Sequence, residues 1–245
     1  MSKGGRAPRR TLVRSGDPTG EWSPADHPIG SIGGADPTPR ALYRAWLKAS
    51  FAHNCVLIGG VDQKQAAAVL VSCHEEAAAT CVIAESRKAY PGAVIRRSVW
   101  ISDTWVADVV DVVDVDQSAA NSVTWRFYAR AALRTPAMIG PALLPHAYLT
   151  HQISTSAESD YCDATWTSAS GRTLHARSFR PEGDHPAWGR AQGPALPSTD
   201  TVDLLIAQAH GKQVQCITVF ALDALPEVVR TDNHLRIAGI EIALG

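Results

Sequence analysis

The chain has 245 residues, of which 45% are hydrophobic and 19% charged, with a net charge of −1 at pH 7. That is enough apolar material to offset the entropy of ordering a large domain, so global disorder is excluded, and one domain is the default at this length. No apolar run approaches the roughly 20 residues that span a bilayer, and the N-terminus lacks the apolar stretch of a secretory signal.

The cysteines (Cys55, Cys73, Cys81, Cys162, Cys216) show no C-x-x-C pair, and most read as buried thiols in a reducing compartment. With a near-neutral total, any electrostatic function must come from local clustering.

The first cluster is at the front. Lys3, Arg6, Arg9, Arg10 and Arg14 precede any acid, and a Gly-, Pro-, Ser- and Asp-rich stretch follows. Such a segment cannot bury a core, which predicts a flexible arm and linker over residues 1–39 ahead of a single domain over 40–245. Thr38-Pro39 then gives a capped helix start, with Leu42, Tyr43, Trp46 and Leu47 on an apolar stripe and Arg40, Arg44 and Lys48 stacked on another face.

Short apolar runs follow. "NCVLIGGV" reads as a strand ending in a glycine turn, and residues 62–89 read as the strands AVLVSC and TCVIAES in preference to one alanine-rich helix. "AVIRRSVWI" and "WVADVVDVV" are rich in strand formers. In "SVTWRFYAR", Val123, Trp125 and Phe127 alternate with Thr124, Arg126 and Tyr128, the period of a half-buried strand.

"HAYLTHQIS" is another strand, and "YCDATWTS" and "RTLHARSF" form a hairpin across Ala169-Ser170-Gly171. Residues 181–198 read as a loop, and "STDTVDLLIAQAHGK" as a second capped helix stopped at Gly211. "QVQCITVFAL" and a strand bulged at Gly239 complete the chain. The pattern predicts a mainly β fold (jelly-roll, sandwich or barrel-like) with two or more helices.

Several constellations could carry chemistry. The basic arm with Arg40, Arg44 and Lys48 suits non-specific phosphate binding, with RNA the expected polyanion. Asp108, Asp111, Asp114 and Asp116 fall within nine residues and are candidate Ca²⁺ ligands; a charged strand edge is the plainer reading. Cys55 follows His53-Asn54 and Cys73 adjoins His74, but neither sits at a helix start as an activated thiolate would. "HQISTS" at 151–156 resembles ADP-ribosyltransferase and 2H phosphoesterase half-motifs, and completes neither.

The order of arm, linker and β-body resembles the plan of small icosahedral viral coat proteins. That resemblance implies a self-assembling, homo-oligomeric, nucleic-acid-packaging protein of virion or cytoplasm, with calcium between subunits, no catalytic residues and no membrane partner. The alternative is a cytoplasmic β-rich, hot-dog-like or barrel enzyme that acts on a small molecule through some of His146, His151, Cys162, Asp163 and His175.

Overall fold

A computed structural model of the protein describes residues 46–76, 79–115, 122–143, 149–194 and 201–244. The chain divides between Asp36 and Pro37, and all described residues belong to the second unit. They open with a helical turn at 46–48 and a 3-10 turn, Ser50–Ala52.

The strands follow in chain order: β1 (Val56–Ile58), β2 (Val69–Glu76), β3 (Ala79–Ser86), β4 (Val94–Ile101), β5 (Trp105–Val113), β6 (Ser122–Ala129), β7 (Ala132–Arg134), β8 (Thr150–Ser156), β9 (Tyr161–Thr167), β10 (Thr173–Phe179), β11 (Glu182–Pro194), β12 (Thr201–Leu222), β13 (Val228–Arg230), β14 (His234–Ile237) and β15 (Ile240–Ala243).

One long strand organises the fold. The first half of β12 pairs antiparallel with β6 and β11, which in turn pair with β1 and β8. Its second half pairs with β5 and β10, extending through β4, β3 and β2 on one side and β9 and β7 on the other. We call these sheet I and sheet II. The crossing point is Gly211, at φ +133°, close to Gly183 of β11 at φ +134°. Only glycine adopts such backbone without strain.

Two sheets that each bury one face must pack those faces together. Val123, Trp125, Leu205, Ala207 and Trp188 from sheet I meet Val110, Val112, Cys216, Phe220, Ala176, Ala164 and Trp166 from sheet II. The outer faces are covered as well. Trp46, Phe51 and Ala52 pack against Leu57, Leu204 and Ile206 of sheet I, while Val228, Leu235, Ile237 and Ile242 of the small β13–β14–β15 sheet pack against Trp105, Ala107, Ile217 and Val219 of sheet II. A β-sandwich with a cover on each outside follows.

The expected β class stands, with corrections. Residues 201–212 of "STDTVDLLIAQAHGK" are not a helix but the first half of β12, which is buried on both faces and therefore lacks the alternation that marks a strand; residues 198–200 lie outside the described residues. Helix-forming alanine and leucine are overridden by hydrogen bonding to neighbours on both edges. The expected loop at 181–198 contains β11, and the expected bulged last strand is the hairpin β14–β15 turning at Ala238-Gly239. Of the first expected helix, residues 38–45 lie outside the described residues, as do the arm and linker.

A Cβ at Gly183 would lie 2.6 Å from the backbone oxygen of His210, at a φ that side chains avoid. Gly183→Ala is expected to cost about 1–3 kcal/mol through backbone strain and overpacking. A urea midpoint unchanged from that of the parent protein would contradict this.

Candidate functional site

Antiparallel register places a polar row across sheet II. Glu85 of β3 pairs with Arg96 of β4, Arg96 with Asp111 of β5, Asp111 with Gln215 of β12, and Gln215 with Glu182 of β11. Alternation puts Arg96, Ser98 and Trp100 on one face of β4, because side chains two residues apart point the same way. The row edges a groove of about 350 Å³ whose floor includes Val94, Val109 and Val113, and whose polar lining includes Arg96, Ser98, Asp111, Asp114 and Gln213. Glu85 and Arg87 line it as well, so charged and polar side chains share the lining about evenly with apolar ones.

The row is fixed on its β12 side. Gln215 Nε2 donates to Asp111 Oδ1 at 2.7 Å, and Gln215 Oε1 accepts from Arg230 at 3.2 Å. Arg230 also donates to the Arg180 carbonyl at 3.1 Å and pairs with Glu182. On the β3 side Arg87 pairs with Glu85 at 2.7 Å. No carboxylate among the described residues lies within salt-bridge reach of Arg96.

Burial is the largest influence on the Asp111 carboxyl and pushes its pKa above the ordinary value; the Gln215 hydrogen bond and Arg96 oppose the shift, and Glu182 adds to it. A carboxyl so raised binds its proton more tightly folded than unfolded. Its contribution to stability therefore grows as pH falls through the folded pKa and is lost as pH rises past it. Asp111→Asn, which keeps an acceptor for Gln215, is expected to flatten the pH dependence of the urea midpoint as pH rises above the ordinary aspartate range. Parallel curves for the two proteins would refute the assignment.

Behind the groove, on the inner face of sheet II, lies a second polar cluster. Asp108, 3% exposed, accepts from Arg97 Nε at 2.7 Å, Arg97 Nη2 at 2.9 Å and Trp125 Nε1 at 2.9 Å. Arg97 also donates to the Asn54 carbonyl at 2.8 Å. This junction ties sheet I, sheet II and the segment before β1 together.

The aspartate run is thereby divided. Asp108 faces inward and Asp111 outward, Asp114 follows β5 at φ 60°, and Asp116 lies outside the described residues. Among the described residues no group of three His, Cys, Asp or Glu is placed to hold a metal ion. Of the basic cluster only Lys48 is described, and it is exposed; Lys3, Arg6, Arg9, Arg10, Arg14, Arg40 and Arg44 lie outside.

The described residues among those named for the alternative enzyme come from β8, β9 and β10, with Asp163 and His175 on one face of the paired β9 and β10 and Cys162 on the other. Cys162 is in the inter-sheet core with its pKa pushed up to about 12 by burial, Asp163 is held by both Nε and Nη2 of Arg177 at 2.8 Å, His175 sits on β10, His151 on β8, and His146 is outside the described residues. Cys55 donates to the Ser50 carbonyl at 3.2 Å, while His53 Nε2 turns to the Leu47 carbonyl at 3.0 Å. Sequence reasoning missed Arg96, Ser98, Gln213 and Gln215. The signal for the first two was the alternation within "VIRRSVWI".

A family model described as Heparinase II/III-like, C-terminal, matches residues 29–211. Among solved structures, a heparinase III gene product aligns at 16% identity and TM-score 0.57 over 87% of this chain and 32% of its own. A second heparinase III structure gives 15% and 0.57 over 82% and 30%. A mutant heparan sulfate lyase from Pedobacter heparinus gives 10% and 0.58 over 88% and 33%. The chain thus spans about a third of the length of these structures, and the likeness shows the fold. No curated protein matches the chain.

The family match overturns the expectation of a self-assembling capsid protein that binds RNA. A basic stretch in a near-neutral chain implies local attraction to anions, but it does not distinguish a nucleic acid from other anions. The family match lies nearer the enzyme alternative. No helix among the described residues is long and apolar enough to cross a membrane.

Proposed function

Because the chain belongs to the heparinase II/III-like C-terminal family, we propose that it is the β-sandwich portion of a carbohydrate-active protein that cleaves an acidic polysaccharide by elimination. The observation that carries this reading is the family match over residues 29–211, supported by a sandwich fold shared with proteins named heparinase III and heparan sulfate lyase. Eliminative cleavage needs a proton removed beside the uronate carboxylate and a departing glycosidic oxygen. This chain's share in that chemistry is to bind and orient the glycan.

The outer groove of sheet II is suited to such a share. Its apolar floor sheds water, and Ser98, Gln213 and Asp111 offer the mixed donors and acceptors that sugar hydroxyls require. The test is incubation of the protein with heparan sulfate, chondroitin sulfate, hyaluronan and alginate, following the ultraviolet absorbance of the unsaturated uronate and, in parallel, binding. Binding or eliminative cleavage of at least one polysaccharide is expected. Failure to bind or cleave all four would overturn the reading.

A further inference from the structure

We propose that Arg96 receives the single negative group, carboxylate or sulfate, of one glycan pyranose in the outer groove, and that Asp111 takes up a proton as the anion enters. This deepens the carbohydrate reading and rests on it. The first support is the state of Arg96. Its guanidinium lines the groove, and its cross-strand neighbours Glu85 and Asp111 are both otherwise engaged, the one with Arg87 at 2.7 Å and the other with Gln215 at 2.7 Å.

Strand order explains why the Arg96–Asp111 pair does not close. β5 lies between β4 and β12, and Gln215 draws the Asp111 carboxyl toward β12, on the side away from Arg96. Gln215 is itself held from behind by Arg230, whose other partner is Glu182. An unpaired guanidinium beside an apolar floor is a fork-shaped donor set that matches a carboxylate or sulfate.

The second support is electrostatic. The charged groups around the Asp111 carboxyl are Arg96 on β4, Glu85 on β3 with Arg87 following it, Asp114 after β5, Glu182 on β11 and Arg230 on β13. An anion on Arg96 removes the one favourable charge on the β4 side and adds a like charge beside Asp111. Protonation of Asp111 removes that repulsion, and linkage makes the effect mutual: acid tightens anion binding, and the anion raises the proton affinity. Half-burial of Asp111 already disfavours its charged form.

The experiment is calorimetric titration with two probes, a sulfate-free glucuronate tetrasaccharide and a sulfated, uronate-free oligosaccharide. Titrations are run at a lower pH near the ordinary carboxyl range and at a higher pH well above it, because burial moves a carboxyl upward, and in buffers of different ionisation enthalpy. Binding of at least one probe is expected to tighten about tenfold at the lower pH, the effect of relieving one like charge at close range, with net proton uptake. Asp111→Asn is expected to bind at both pH values with the tight affinity and no uptake.

Arg96→Gln, at an exposed position that leaves the fold intact by circular dichroism, is expected to lose binding of both probes. Which probe binds identifies carboxylate or sulfate as the anion. Binding that is independent of pH in both parent and Asp111→Asn, or that survives Arg96→Gln, overturns the inference and leaves the carbohydrate reading standing. If neither probe binds at either pH, while the polysaccharides of the preceding test also fail, the reading itself falls; if those polysaccharides bind, only this inference does.

Discussion

Asp108→Ala is expected to lower folding stability by about 3 kcal/mol, toward the lower end of what breaking a buried ion pair costs. The carboxylate answers three donors at once, two on Arg97 and the indole of Trp125. Once it is gone, the Arg97 side chain, 37% exposed, recovers water. The Trp125 indole, 1% exposed, does not, and a buried donor left without an acceptor costs about 1–3 kcal/mol. Asp108→Asn retains one acceptor and is expected to fall between parent and alanine variant. Urea denaturation measures all three; equal midpoints for parent and Asp108→Ala would show that the junction contributes nothing.

The second large effect is expected at Arg126, a fully buried cation on β6. Its guanidinium donates to the carbonyls of Ser50 and Phe51 and, at 3.1 Å, of His53, lies 3.5 Å from Cys55 Sγ, and stacks 5.1 Å from the centre of the Phe51 ring. No carboxylate among the described residues neutralises it, its Nε has no partner, and burial pulls its pKa down. A charge kept inside under those terms must be holding something in place.

What it holds is the turn at 50–55 that covers sheet I. Arg126→Leu removes the cost of burying the charge but strands those carbonyls, with a net loss of about 2–4 kcal/mol expected. A readout specific to this role is thiol labelling. Cys55 is expected to react with an alkylating probe at least severalfold faster in the variant, because the turn opens, while Cys216, deep in the core, keeps its rate. Equal Cys55 rates would assign Arg126 to the sheet alone.

These two clusters show what a one-dimensional reading could and could not see. The alternation in Ser122–Ala129 was legible, and Val123, Trp125 and Phe127 do point into the core. Arg126 falls on the polar side of that alternation, yet it is buried by a turn more than 70 residues earlier in the chain. Asp108 and Asp111 looked equivalent, as members of one acidic run. Their odd spacing places them on opposite faces, where one is an anchor for two sheets and the other a groove residue.

The groove itself was invisible for a similar reason. Glu85, Arg96, Asp111, Gln215 and Glu182 come from five strands, and only the register brings them into line. The first half of β12 was misread as a helix because a strand with a sheet neighbour on each edge and cover on each face shows no polar side. The functional expectation differs from the family match because charge density is the loudest signal in the sequence.

The sharing of β12 between both layers has a consequence for how the chain reaches its native state. Residues 201–222 are made after β5, β6, β10 and β11, which all wait for them as a hydrogen-bonding partner. Until they arrive the earlier strands present open edges, and pairings this distant in sequence close slowly. A ribosome-bound chain lacking those residues should therefore be a good client for chaperones, and cooperative assembly should begin only when they have emerged.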